Sequence, residues 1–196
     1  VLSLVAALAL STHAQAQTHG AWNANADGNW SDTTKWTGGT VANGANATAN
    51  VATVNITANR TITLDSARTI GHLVFADAST ASHDWFLKPL DGTKVLTLEH
   101  YAAGSVIRPM INVTNRTAFI TVPLAGTNGF VKMGGGKLVL SNQTATASTL
   151  TGQVQIIGGI LQLANEASLG EPLGAYWAAS ILISNNASLM NAHSPL

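Results

Sequence analysis

The sequence predicts an all-β fold, a right-handed parallel β-helix with a β-sandwich as the alternative, and three observations point there. Short runs of four to six residues with alternating or continuous aliphatic side chains recur along the chain, each followed by Gly, Asn, Asp or Ser. Several of these runs start roughly 16 to 25 residues apart, a spacing that suits the coils of a solenoid. Ala, Thr, Gly and Asn supply 31, 23, 18 and 16 of the 196 residues, and such small, turn-forming types fit stacked coils with tight corners. No segment after residue 16 places apolar residues at i, i+3, i+4 and i+7 over three turns, so helix is a minor component.

Charge and cysteine content exclude several classes. Nine Lys and Arg balance nine Asp and Glu, and only 9% of residues are charged, against about 25% in an ordinary soluble domain. Basic nucleic-acid binding is thereby excluded. The chain has no cysteine, which removes disulfide frameworks, thiolate metal sites and a cysteine nucleophile.

In chain order, Val1 to Leu10 form an apolar run and Ala14, Gln15 and Ala16 fit the small-x-small cleavage pattern of a secretory leader. The run is shorter than the roughly 20 residues a membrane span needs. Residues 1–16 are therefore read as a signal peptide whose own start lies upstream, and 17–196 as one domain, incomplete at its C-terminus because Asn185 to Leu196 reads as a turn before a strand beyond the end. Asn23, Asn25, Asp27, Gly28 and Asn29 imitate an oxygen-ligand calcium loop, but the twelfth position is Thr34 and a turn-rich loop is the simpler reading. Trp22, Trp30 and Trp36 are candidates to seal one end of the stack. The clearest strands are 61–64, 72–75, 94–98, 119–122, 137–140, 153–157, 160–163 and 180–183. Of the turn dipeptides Asp27-Gly28, Asn43-Gly44, Asp91-Gly92 and Asn128-Gly129, only the last stands between two good strands, where a sandwich would place a hairpin. Eight Asn-x-Ser/Thr triplets, from Asn29 to Asn186, follow from a composition so rich in Asn and Thr.

From Gly129 to Gly170 the chain reads GFVKMGGGKLVLSNQTATASTLTGQVQIIGGILQLANEASLG. This resembles the autotransporter-associated β-strand repeat: Gly129, Lys132, Gly134, Gly136, Leu138 and Leu140 match its opening, Thr151 and Gly152 its middle, and Gly159, Leu161, Leu163, Ser168, Leu169 and Gly170 its close. Leu150 stands where the repeat has Tyr, and the extra residues from Gln143 to Leu150 are expected to protrude as a loop. A second stretch, Gly28 to Gly39 with Arg60 to Phe75, looks like the segment that often precedes such repeats. The resemblance implies a parallel β-helical passenger or stalk exposed outside a bacterial cell. Leu138 and Leu140, like Leu161 and Leu163, sit two apart and share one strand face, which should point into the coil. Gly134, Gly135 and Gly136 supply conformational freedom for a sharp corner.

Candidate chemistry is sparse, and no residue is assigned a catalytic, cofactor-binding or metal-ligating role. Asp65 and Asp77 with Arg60 and Arg68 are the one concentration that could imitate a polysaccharide lyase or hydrolase, and solvated turn residues are the preferred reading. The histidines lack His-x-x-x-His spacing, and no Gly-x-Ser-x-Gly elbow marks a Ser-His-Asp site. Lys132 and Lys137 are expected to keep a coil edge soluble. Trp85, Tyr101, Tyr176 and Trp177, with the early tryptophans, could stack on sugars, though core or cap packing is preferred. The expectation is a non-enzymatic, exported surface protein that extends and adheres, with a carbohydrate-active enzyme or a carbohydrate-binding module as alternatives. Surface glycans or host and neighbouring-cell surfaces are the expected partners, nucleic acid and membrane insertion are not, and an outer-membrane translocator is expected in a missing C-terminal part.

Overall fold

A computed structural model describes residues 16–79, 81–102, 105–142, 144–165, 168–170, 181–184 and 186–191. The leader assigned to 1–16 therefore lies almost wholly outside them. Seven strands stack in chain order to make one face: Gly28–Asn29, Arg60–Leu64, Trp85–Pro89, Thr117–Ile120, Lys137–Leu140, Gly159–Leu163 and Ala187–Asn191. Every pairing among them is parallel. The second sheet starts with Gly20–Ala21, Gly44–Val51 and Arg68–Phe75, and there it forks. Arg68 to Ile70 carry Leu96–Leu98, then Leu124–Gly126 and Thr149–Leu150. His72 to Phe75 carry Met110–Val113, then Phe130–Met133, Val154–Ile156 and Ile181–Ile183. From that level onward each coil has three sides, and the molecule is a parallel β-helix.

Stacking in register brings like side chains together, which is what selects this architecture. Ile62, Leu87, Ile120, Leu140 and Leu163 lie on successive levels of one inward row and are all buried. Trp85, Ala118, Leu138 and Leu161 form the adjacent row, where the small Ala118 makes room beside the large indole. The expected inward orientation of both leucine pairs is observed. At the N-terminal end Trp22, Trp30 and Trp36 are wholly buried. Trp36 meets Trp22 edge-on at 5.3 Å, and the three indole N–H groups donate to Ala24, Ala42 and Trp30 carbonyls. The early tryptophans thus close the stack, as expected, and their faces are spent on packing.

Several elements differ from the sequence reading. The strands at 44–51, 85–89, 110–113, 124–126 and 130–133 were not among the clearest runs. Gly44–Val51 buries Ala47, Ala49 and Val51, side chains too small to announce a strand by hydrophobicity. The tail does carry its strand, Ala187–Asn191, paired with Gly159–Leu163. Coil lengths are uneven, from 20 residues between the register partners Thr117 and Lys137 to 38 between His72 and Met110. Asn128-Gly129 turns no hairpin: the strands on either side belong to different columns of one coil. The segment before Leu150 is tied down, with Asn142 and Ser148 buried and Thr149–Leu150 in the sheet; Gln143 lies outside the described residues. Among the described residues no helix is long and apolar enough to cross a membrane.

Candidate functional site

The corner at the fork of the second sheet is where this stack departs from regularity. Its successive levels are Asn46, Gly71, the insertion 99–109, Thr127–Gly129 and Thr151–Gln153. Asn46 sits in a bulge at φ +65°, where register with the next strand shifts between Gly44 and Thr48. A Cβ on Gly71 would lie 2.5 Å from the Asn46 Cα, so only glycine permits this approach. Asn46 consequently bonds to residues two levels on. Its N–H donates to the Glu99 carbonyl at 3.0 Å and its amide to the Tyr101 carbonyl at 2.8 Å, while its Oδ1 accepts the Tyr101 N–H. Held by that clamp, Tyr101–Ala102 pairs antiparallel with Ser105–Val106, unlike every other strand pairing among the described residues. Tyr101 is 59% exposed and its hydroxyl donates to the Glu99 carboxylate; that bond and the carboxylate's charge raise the phenol above its ordinary value.

Beside the clamp runs an outward row of histidines. Thr48 donates its N–H to Nδ1 of His19 at 3.1 Å, Thr48 pairs in register with His72, and the His100 ring meets His72 edge-on at 4.5 Å. Nδ1 of both His72 and His100 is buried without a hydrogen-bond partner. Burial, then the neighbouring His100 and His19, hold His72 below its ordinary value. Next to this row His19, Gly20, Thr37, Thr40, Thr48 and Asn50 line an uncharged depression of about 410 Å3. Among the described residues no three His, Asp or Glu side chains converge as a metal site.

The residues singled out in the sequence fall elsewhere and are bound up in the scaffold. In the calcium-like loop, Asn25 Oδ1 accepts from the Thr57 N–H and from Arg60 Nε, and Asp27 Oδ1 from the Thr61 N–H, so these oxygens tie the first coil to the second. Asp65 takes the N–H and hydroxyl of Ser31. Asp77 is not a solvated turn residue: it is 1% exposed and accepts the N–H groups of Ile56, Ser82 and His83 at 3.1, 2.9 and 3.2 Å. A buried carboxylate is tolerated because amides replace its water. Ser82, His83 and Asp77 do come together, but Nδ1 of His83 faces both Ser82 at 2.8 Å and Asp77 at 3.9 Å. A proton relay needs the two ring nitrogens to serve opposite partners, and this ring does not bridge them.

Lys132 also departs from expectation. It points inward on the row of Leu73, Ile111 and Ile156, fully buried, and its Nζ donates to the carbonyls of Met133, Gly134 and Gly158 at 2.7, 3.0 and 2.9 Å. It clips two coils together at the glycine corner, where Gly134 alone of the three glycines takes a positive φ. Burial lowers its pKa to about 8. Trp85 packs in the core and donates to the Ala76 carbonyl at 2.8 Å; Tyr176, Trp177 and His193 lie outside the described residues.

Over 175 residues, 89% of this chain, the sequence is 31% identical to the adhesin BmaC autotransporter of Brucella suis biovar 1 (strain 1330). Nearly the whole solenoid is included in that match. The chain is similar to part of an autotransporter adhesin. It spans only 4% of the length of that relative. No family model matches the chain, and no solved structure matches it. The antiparallel pair of Tyr101–Ala102 with Ser105–Val106 escaped the sequence reading, although one signal was there: eleven residues separate Leu98 from Met110, where three, Thr127 to Gly129, make the same corner one coil later.

Proposed function

We propose that the chain is a non-enzymatic segment of a surface-exposed adhesin, and that the antiparallel pair Tyr101–Ala102 with Ser105–Val106 is its adhesive contact. Residues 1–16 act as the leader, 17–196 as β-helical passenger, and the parent protein supplies an outer-membrane translocator. The observation that carries the reading is a clamped antiparallel strand pair where the other described strands pair in parallel, with Tyr101 exposed to solvent. An aromatic with a polar tip is a common anchor in recognition surfaces. Similarity to an autotransporter adhesin supports the same reading. Against an enzyme stand the carboxylates of Asp65 and Asp77, both engaged by hydroxyl or amide groups of the scaffold. The test replaces 99–109 by the sequence of Thr127–Gly129, which closes the same corner without the insertion. Binding of the passenger to host-cell surfaces or immobilised glycans should be lost while far-ultraviolet circular dichroism is kept; undiminished binding by the folded variant overturns the assignment.

A further inference from the structure

We propose that Asn29 is the acceptor for an N-linked sugar: of the Asn-x-Ser/Thr triplets in this chain, it is the one among the described residues whose side-chain amide the stack leaves free and open to solvent. This is a covalent modification site, and it stands apart from the question of which corner adheres.

Composition accounts for how many triplets there are, but the stack decides what each asparagine does. Asn46 clasps one residue with both ends of its amide, accepting the Tyr101 N–H and donating to the Tyr101 carbonyl at 2.8 Å. Asn115 does the same to Asp77, at 2.9 and 3.0 Å. In each clasp the bonded amide hydrogen lies on the same side as Oδ1. A sugar takes that very position, because the substituent of a secondary amide lies trans to the carbon chain, and so modification undoes the clasp. Asn142 is buried and donates to the Thr146 carbonyl at 2.9 Å. Asn59 Oδ1 accepts the Asp84 N–H at 2.9 Å, Oδ1 of Asn112 is enclosed, and Asn55 is engaged. Asn186 lies outside the described residues.

Asn29 differs from all of these. It is exposed although Trp30 beside it is wholly buried, and its side-chain amide makes no hydrogen bond among the described residues. Gly28–Asn29 is the end strand of its sheet, paired with Arg60–Leu64 on one side only, which leaves the other side open for a bulky group. An exposed asparagine in such a triplet is what N-glycosylation requires. The reaction is a substitution: Asn29 Nδ2 bonds to the anomeric carbon of a sugar carried as a nucleoside diphosphate ester, the carbon–oxygen bond to the diphosphate breaks with its electron pair on the leaving group, and the nitrogen gives one proton to a base of the transferring enzyme. Ser31 completes the triplet, and in the folded chain Asp65 holds both its N–H, at 3.1 Å, and its hydroxyl. Transfer therefore precedes the docking of the second coil on the first, and the finished fold keeps the sugar without losing a bond.

The test co-produces the full 196-residue chain with a soluble asparagine-directed glycosyltransferase that uses UDP-glucose, and maps peptide masses in the folded, protease-resistant fraction. Asn29 should carry a hexose there, at an occupancy at least about tenfold that of Asn46, Asn115 or Asn142, the factor that one lost hydrogen bond at an enclosed site produces. Asn29→Gln should remove that hexose and leave far-ultraviolet circular dichroism unchanged. A synthetic peptide of residues 23–35 should take the sugar as well. A folded fraction bare at Asn29, or one equally occupied at Asn46, Asn115 and Asn142, overturns the proposal.

Discussion

Asp77 and Lys132 show how a chain so poor in charge uses the charges it has. Each is buried, each is surrounded by main-chain groups, and each joins segments from different coils. Asp77→Ala strips the acceptor from three amides, one of them the buried Ile56 N–H, and should cost about 1–3 kcal/mol in urea unfolding, with Asp77→Asn milder because one oxygen survives. Lys132 yields a pH dependence. Its folded pKa of about 8 lies below the ordinary lysine value of 10.5, so the unfolded chain holds more protons between the two, and stability should rise with pH across that window. Lys132→Met keeps the inward volume and should abolish that slope in denaturation measured from pH 7.5 to 10. Neither role was legible from residue type. Asp in a Gly-rich stretch reads as a turn and Lys beside glycines as a soluble edge, and only the approach of a second coil reverses both readings.

Among the elements, the corners decide more than the strands. A strand here needs only alternating inward side chains, and Ala serves as well as Leu where the side chain on the next level of the same row is large, as Ala118 does beside Trp85. A corner must let one coil rest on another. Gly129 takes φ +62°, and a Cβ there would stand 2.0 Å from the Gln153 carbonyl oxygen. Gly129→Val should therefore lower the melting temperature by several degrees, a cost on the order of 2 kcal/mol or more, whereas Gly92→Ala, with its nearest neighbour at 3.7 Å, should change it little. The glycines of the repeat were readable in the sequence and so were its strands at 137–140, 153–157 and 160–163. Asn46 and Gly71 were not, because their meaning depends on the insertion two levels away that they secure.

At the scale of the whole molecule, each coil is supported by the coils above and below, so stability spreads from neighbour to neighbour. Leu161 stacks on Leu138 and under Leu189, fully buried. Leu161→Asp places an unpaired carboxylate on that row, and hydrogen exchange should show protection lost at 137–163 while the Trp-sealed levels at 44–75 retain theirs. Uniform loss along the chain would mean that the stack unfolds as one unit. What the sequence determined by itself was the repeating unit: short extended runs, aliphatic pairs two apart, glycine at the corners, and hence a parallel coil with its leucines inside. Tertiary structure alone decided where the coil divides into three sides, which polar groups are drawn into the interior, and which corner carries the antiparallel pair. The physical reason is that a coil's own pattern follows from the local alternation of side chains, whereas these features arise from contacts between coils 20 to 38 residues apart, set by register and insertion length.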